Sequence, residues 1–206
     1  MDARVRITGF GGQGVIMAGY ILGQAASVHD DRHAIFTQSY GPEARGSACS
    51  AQIVISDLPI LNPFIKQQDV LCAMSQEGFD KFVNSMAKDG IVLIDEDLVD
   101  LSGLPPDFES RYPIYRIPAT RLAEKEIGKR IVTNIMMLGF LASVTGVVTK
   151  GAIQTAVANV APRGTEKLNA DALNFGLAFE IPAKKTESKP KPKSKPKAAE
   201  AKDQTK

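Results

Sequence analysis

The sequence predicts an α/β layered fold, in which a largely parallel sheet is flanked by helices and followed by a disordered tail. Three observations predict it. Short β-branched runs alternate with longer helical stretches, the pattern of strand–helix–strand units. Two of the runs, Asp69 to Met74 and Gly90 to Ile94, are almost continuously apolar, as strands covered on both faces are. From Ala183 onward no large apolar side chain occurs, so nothing offsets the entropy of ordering that segment.

Taken in order, Arg4 to Thr8 (RVRIT) alternates and reads as the first strand. The glycine-rich stretch GFGGQG follows, then a helix from Val15 to Ser27. His29, Asp30, Asp31 and Arg32 make a polar turn before a second strand, Ala34 to Thr37. Gln38 to Ser47 (QSYGPEARGS) reads as a loop and Ala51 to Ser56 as a strand. Pro59 and Pro63 punctuate the connection to Asp69 to Met74. Ser75 is placed to cap a helix over Gln76 to Ala87, and the strand Gly90 to Ile94 follows. Leu101 to Tyr112 is read as loop and Tyr115 to Ile117 as a short strand. Helices then cover Thr120 to Glu126, Thr133 to Val144, Lys150 to Asn159 and Lys167 to Phe179. In the last, Leu168, Ala172, Phe175 and Phe179 recur at helical spacing, giving one face for the core.

The chain has 206 residues, a formal charge of +2 and 44% hydrophobic residues, which fits one soluble domain with an appendage. The charge is unevenly placed. Residues 183–206 hold nine lysines against three acids, a net +6, which leaves −4 for residues 1–182. Lysine–proline alternation favours extended, polyproline-like chain. No aromatic or amphipathic pattern accompanies the lysines, so the expectation is a solubilising or tethering tail rather than a nucleic-acid or membrane-surface element. Met1-Asp2-Ala3-Arg4 runs into a strand without a signal-peptide core. Ile131 to Thr149 carries no charge, but Thr133, Asn134, Ser143, Thr145, Gly139 and Gly146 interrupt it, so it reads as a buried helix and not a membrane span. A cytoplasmic location is expected.

Gly9-Phe10-Gly11-Gly12-Gln13-Gly14 fits G-x-G-x-x-G, directly after a strand and at the start of a helix, the context of a Rossmann-like phosphate-binding loop. Glycines admit positive φ and close backbone approach, and the helix offers unpaired N–H groups and a positive dipole end to an anion. The alternative is a tight strand–helix turn with no ligand. A nicotinamide site also needs an acid at the end of the second strand. That position falls in Thr37-Gln38-Ser39-Tyr40, which has none, while Asp30 and Asp31 precede the strand. The dinucleotide assignment fails there, and anion binding survives. The loop QSYGPEARGS leaves the same sheet edge, so Ser39, Tyr40, Arg45 and Gly46 are expected to join the glycine loop. Arg45 supplies a donor fork suited to phosphate, or an ion pair with Glu43 or a neighbouring subunit; the roles are compatible.

Other candidates are weaker. His29 and His33 straddle a turn and read as solvated, and Met136 and Met137 read as core. Cys49 and Cys72 lie in or beside apolar strands, the setting of inert thiols. Asp95, Glu96 and Asp97 follow a strand and read as a solvated turn, with a metal site as the alternative. Met74 to Glu77 end a strand at the ligand edge and can line a pocket there. Two cysteines exclude a four-thiolate iron–sulfur cluster and a cysteine-rich zinc site on this chain.

Two segments, GFGGQGVIMAGYILGQAA (9–26) and TQSYGPEARGSACSAQIVIS (37–56), resemble the γ subunit, or γ domain, of the 2-oxoacid:ferredoxin oxidoreductases. DVLCAMSQEGFDKF (69–82) and IPATRLAEKEIGKRIVTNIMMLGFLASVTG (117–146) are similar as well. The resemblance covers about residues 3–180 and makes 1–182 a γ-type catalytic domain, with 183–206 outside it. Its implication is a subunit of an enzyme that oxidatively decarboxylates a 2-oxoacid, transfers the acyl group to coenzyme A and reduces ferredoxin. It places thiamine diphosphate with Mg on α and β partner subunits, [4Fe–4S] clusters on β or a small ferredoxin-like δ subunit, and coenzyme A with the γ domain. Gly9, Gly11, Gly12, Gln13 and Gly14 would then face phosphates of coenzyme A, with Ser39, Tyr40, Arg45 and Gly46 assisting. The pairing of GFGGQGV with SYGPEARG is more similar to 2-oxoglutarate-type subunits than to pyruvate-type ones. The rival reading is a stand-alone nucleotide-binding regulatory module; pyruvate, branched-chain and indolepyruvate enzymes are the other substrate classes.

Overall fold

The computed structural model describes residues 2–40 and 48–181. Six strands form one sheet in the order β2-β3-β1-β4-β5-β6. They are β1 (Ala3–Phe10), β2 (His33–Ser39), β3 (Ala48–Ser56), β4 (Gln68–Ala73), β5 (Met86–Asp95) and β6 (Ile114–Ile117). The ladders β1–β4, β4–β5 and β5–β6 are parallel, as the buried apolar runs predict. β3 is antiparallel to both β1 and β2. The sheet is therefore mixed, with one reversed strand. The reversal follows from chain length: the connection between Ser39 and Ala48 is too short for a parallel crossover, which needs about a dozen residues.

Alternate residues of each strand feed two cores. Val70, Cys72 and Leu93 face the larger core with Val5, Ile7, Ile53 and Ile55. There they meet α1 (Val15–Gln24), α5 (Thr133–Thr145), α6 (Lys150–Val160) and α7 (Glu166–Ala178). Leu71, Ala73, Val92 and Ile94 face the other way, against Phe79 and Val83 on and just after α2 (Gln76–Phe82) and Phe108 on α3 (Phe108–Arg111). α4 (Ala119–Leu122) completes the series beside the larger core.

The expected buried helix is present. α5 buries every residue from Asn134 to Ala142, including Met136 and Met137, and no helix of the described residues is long and apolar enough to cross a membrane. Ser75 caps α2 by accepting from the Gly78 N–H at 3.2 Å. That helix ends at Phe82 rather than Ala87, because Met86 pairs with Gln68 and starts β5 early. The stretch read as loop before β6 holds α3, anchored by buried Phe108. Asp95 is not in a solvated turn. It is fully buried and accepts from the Thr120 Oγ1–H at 2.6 Å, the Thr120 N–H at 3.1 Å and the Asp97 N–H at 3.2 Å. Parallel pairing of Asp95 with Ile117 brings Thr120 over it, a contact that local sequence does not reveal. The tail lies outside the described residues.

Candidate functional site

β1 ends at Phe10 and the chain turns through Gly11 and Gly12 into Gln13, whose N–H returns to the Phe10 carbonyl at 3.1 Å. Gly12 (φ +98°) and Gly14 (φ +74°) hold left-handed conformations that explain why glycine stands there. Gly14 caps α1, so the ten-residue helix begins immediately beyond the turn. The Gln13 side chain fastens the loop. Its Oε1 accepts from the Phe10 N–H at 2.6 Å, and its Nε2–H donates to the Met74 carbonyl at 2.9 Å, bridging the ends of β1 and β4. Gly9 is part of this brace, since a Cβ there would lie 2.5 Å from Gln13 Oε1.

Above the loop opens a cleft of about 330 Å³, lined by Gly12, Gln13, Met74, Thr120, Arg130, Ile131 and Thr133. Two helix starts meet at it. Asn134, in the first turn of α5, donates through Nδ2 to the Gly14 carbonyl at 3.1 Å and ties the beginning of α5 to that of α1. Thr133 Oγ1 donates to the Arg130 carbonyl at 2.7 Å and fixes the turn carrying Arg130. Thr120 is held by the buried Asp95 beneath it. None of the seven described lining residues is acidic. The start of α5, an exposed guanidinium and small glycine backbone are groups whose chemistry suits an anion.

The expected residues separate into distinct roles. Gly12 and Gln13 line the cleft, Gly14 starts the helix, Gly11 completes the turn and Gly9 makes room for the brace. Ser39 and Tyr40 reach the same sheet end, because β2 and β1 are both antiparallel to β3. However, β3 stands between them: Ser39 pairs with Ser50, which pairs with Thr8, a separation of about 10 Å at ordinary strand spacing. Both are exposed and neither is among the described lining residues. Arg45 and Gly46 lie outside the described residues. Thr120, Arg130, Ile131 and Thr133 were not anticipated. All four lie in the stretch 117–146 that resembles the family, but no local motif in it marks them as cleft residues.

Both cysteines are buried, as their strand positions predict. Burial pushes the Cys49 thiol up, and burial with the nearby Asp95 charge pushes Cys72 up to about 12, so neither thiol is a nucleophile near neutral pH. Burial likewise raises the Asp95 carboxyl, against the opposing hydrogen bonds from Thr120 and Asp97. Among the described residues no group of three or more His, Cys, Asp or Glu is placed to hold a metal.

The 2-oxoglutarate synthase subunit KorC of Methanocaldococcus jannaschii is 45% identical over 181 residues, covering 88% of this chain and 94% of that one. The γ subunit of a keto/oxoacid ferredoxin oxidoreductase from Geobacter sulfurreducens superposes with a TM-score of 0.73 at 38% identity, covering 84% of this chain and 95% of that one. A 2-oxoglutarate:ferredoxin oxidoreductase from Magnetococcus marinus, solved with 2-oxoglutarate, coenzyme A and succinyl-CoA bound, shares the fold. Its TM-score is 0.75 at 19% identity, and the match covers 86% of this chain but 30% of that longer one. The profile described as pyruvate ferredoxin/flavodoxin oxidoreductase matches residues 4–179, and this chain belongs to that family.

Proposed function

We propose that this chain is the γ subunit of a multi-subunit 2-oxoacid:ferredoxin oxidoreductase that converts 2-oxoglutarate, coenzyme A and oxidised ferredoxin to succinyl-CoA, CO2 and reduced ferredoxin. Its share of the work is to bind coenzyme A. The observation that carries this reading is a cleft, with no acid among its described lining residues, in which the glycine loop, the start of α5 and Arg130 converge. Coenzyme A presents phosphates that such a site attracts, and the exposed Ile131 at the wall offers apolar surface to the rest of the molecule. The glycine backbone of the loop lies open to the ligand, Arg130 supplies the charge, and Gln13, whose own N–H is bonded to the Phe10 carbonyl, holds the loop. Ser39 and Tyr40 stand at the same sheet end and are assigned to the outer part of the proposed site, together with Arg45 and Gly46, which lie outside the described residues.

We assign no redox centre to this chain: two cysteines are too few for a four-thiolate cluster, and the family resemblance implies thiamine diphosphate with Mg and the [4Fe–4S] clusters on α, β and δ-type partner subunits. The KorC relatives are named as subunits of 2-oxoglutarate synthase, which supports the choice of 2-oxoacid.

The test is steady-state kinetics of the assembled enzyme carrying Arg130→Glu or Gly12→Asp. Arg130 is exposed, so its reversal of charge leaves the core untouched; Gly12→Asp adds loop strain at positive φ. Losing a charge-assisted contact at phosphate is worth about 1.5–3 kcal/mol, so the KM for coenzyme A should rise about 10- to 100-fold. The KM for 2-oxoglutarate should stay within about twofold. An unchanged KM for coenzyme A in both variants would show that the cleft does not bind it.

A further inference from the structure

The segment joining β3 to β4, residues 57–67, places three large apolar side chains in water: Leu58 is 72% exposed, Leu61 96% and Phe64 78%. An apolar cluster of that density on an ordered segment marks an interaction site. The segment is anchored. Ile65 is buried, the Leu58 N–H donates to Ser56 Oγ at 3.0 Å and the Phe64 N–H to Asn62 Oδ1 at 3.0 Å. Arg32 pairs with Asp57 at 2.7 Å and also donates to the Val147 carbonyl, which ties the start of the segment to the body. Beside it lies a groove of about 550 Å³ lined by Leu58 and Leu61 together with Val54, Ser56, Arg4 and Asp69. Arg4 and Asp69 sit at the starts of β1 and β4. The groove is therefore at the opposite end of the sheet from the glycine loop, and an occupant leaves the ligand cleft open.

Three occupants can be weighed. Residues 183–206 contain no Leu, Ile, Val, Met or aromatic residue, so the tail has no large apolar side chain to cover Leu58, Leu61 and Phe64. A second copy of this chain would cover the patch in a symmetric dimer. The third is the larger subunit of the same enzyme. The Magnetococcus protein favours it, because the same fold there is 30% of one long chain. A unit fused into a longer polypeptide meets the remainder of it within one molecule. A separate chain of the same fold has to present the corresponding contact as exposed surface.

We propose that Leu58, Leu61 and Phe64 form the docking surface for the larger subunit of the oxidoreductase, inserted into an apolar pocket on that partner. The inference rests on the proposed function, since it needs a heteromeric enzyme. The experiment is co-purification of the full-length chain with the other subunits of its own enzyme, comparing wild type with Leu61→Asp and Phe64→Asp. Both side chains are exposed, so the isolated variants should melt within a few degrees of wild type and bind coenzyme A equally well. Central apolar anchors of interfaces carry much of the affinity, so each variant should weaken assembly about 30-fold or more. Val28→Asp, at an exposed apolar residue after α1, should leave assembly intact. Retention of both variants in the complex would overturn the proposal. So would equal loss with Val28→Asp, or a wild-type dimer of this chain alone that Leu61→Asp converts to monomer. If the isolated wild-type chain fails to bind coenzyme A while Leu61→Asp still releases it from the complex, the ligand reading fails and the docking surface stands.

Discussion

Gln13 shows how the glycine loop divides its labour. Sequence pattern groups it with the glycines as a ligand contact, yet its amide is engaged on both sides, with the Phe10 N–H and the Met74 carbonyl. Its part is to hold the loop's backbone groups where an anion can use them, which limits the entropy lost on binding. Gln13→Leu keeps the bulk and removes both bonds. The expected result is faster hydrogen exchange at the Phe10 amide in the ligand-free chain, with weaker coenzyme A binding by about tenfold. Weaker binding with unchanged exchange would instead make Gln13 a direct contact. Gly12, Gln13 and Gly14 were legible because strand, turn and helix start are local in sequence. Arg130 and Thr120 were not, because they reach the cleft only through the packing of α5 and the pairing of β5 with β6. The Lys129-Arg130 pair gives no periodic or motif signal of its own.

At the scale of elements, runs of alternating or continuous apolar residues located every strand, and the uncharged stretch located α5. The direction of β3 was hidden in pairing, which periodicity does not encode; loop length alone would have argued for it. The close approach of α5 and α7 was hidden as well. A Cβ on Gly139 would lie 2.3 Å from the Leu173 carbonyl oxygen, and one on Gly176 would lie 2.0 Å from that of Met136. Each glycine thus admits the backbone of the facing helix. The apolar spacing of Leu168, Ala172, Phe175 and Phe179 pointed to the right side of α7, but its most buried residues are Asn169, Ala172, Leu173, Gly176 and Leu177. Gly139→Ala or Gly176→Ala would normally stabilise a helix by about 1 kcal/mol through propensity. Here the methyl meets backbone that cannot yield, so an overpacking cost at the upper end of about 1–3 kcal/mol outweighs the propensity gain and each change should cost about 1–2 kcal/mol net. Urea unfolding reads this directly; a loss below about 0.5 kcal/mol in both variants would mean that the helices are not packed on their glycines.

For the whole molecule, charge is the property that sequence stated most misleadingly. The total of +2 combines an acidic body at −4 with residues 183–206 at +6. The cleft, set on an acidic body, thus has no acid among its described lining residues, and the proposed attraction for an anion has to come from groups at short range, such as Arg130 and the start of α5. Salt at about 0.15 M screens exposed charges beyond about 8 Å, so lysines remote from the cleft contribute little to binding there. A chain truncated after Pro182 should consequently keep its KM for coenzyme A within about twofold at that salt concentration. Its net charge should switch its retention at pH 7 to an anion exchanger. The same measurement at about 0.01 M salt, where screening extends to about 30 Å, distinguishes local from long-range attraction. A tenfold rise in KM on truncation that disappears as salt is added would show that the lysine-rich segment concentrates the anion. A constant KM across both salts, truncated or whole, would place the electrostatics of binding in the cleft itself.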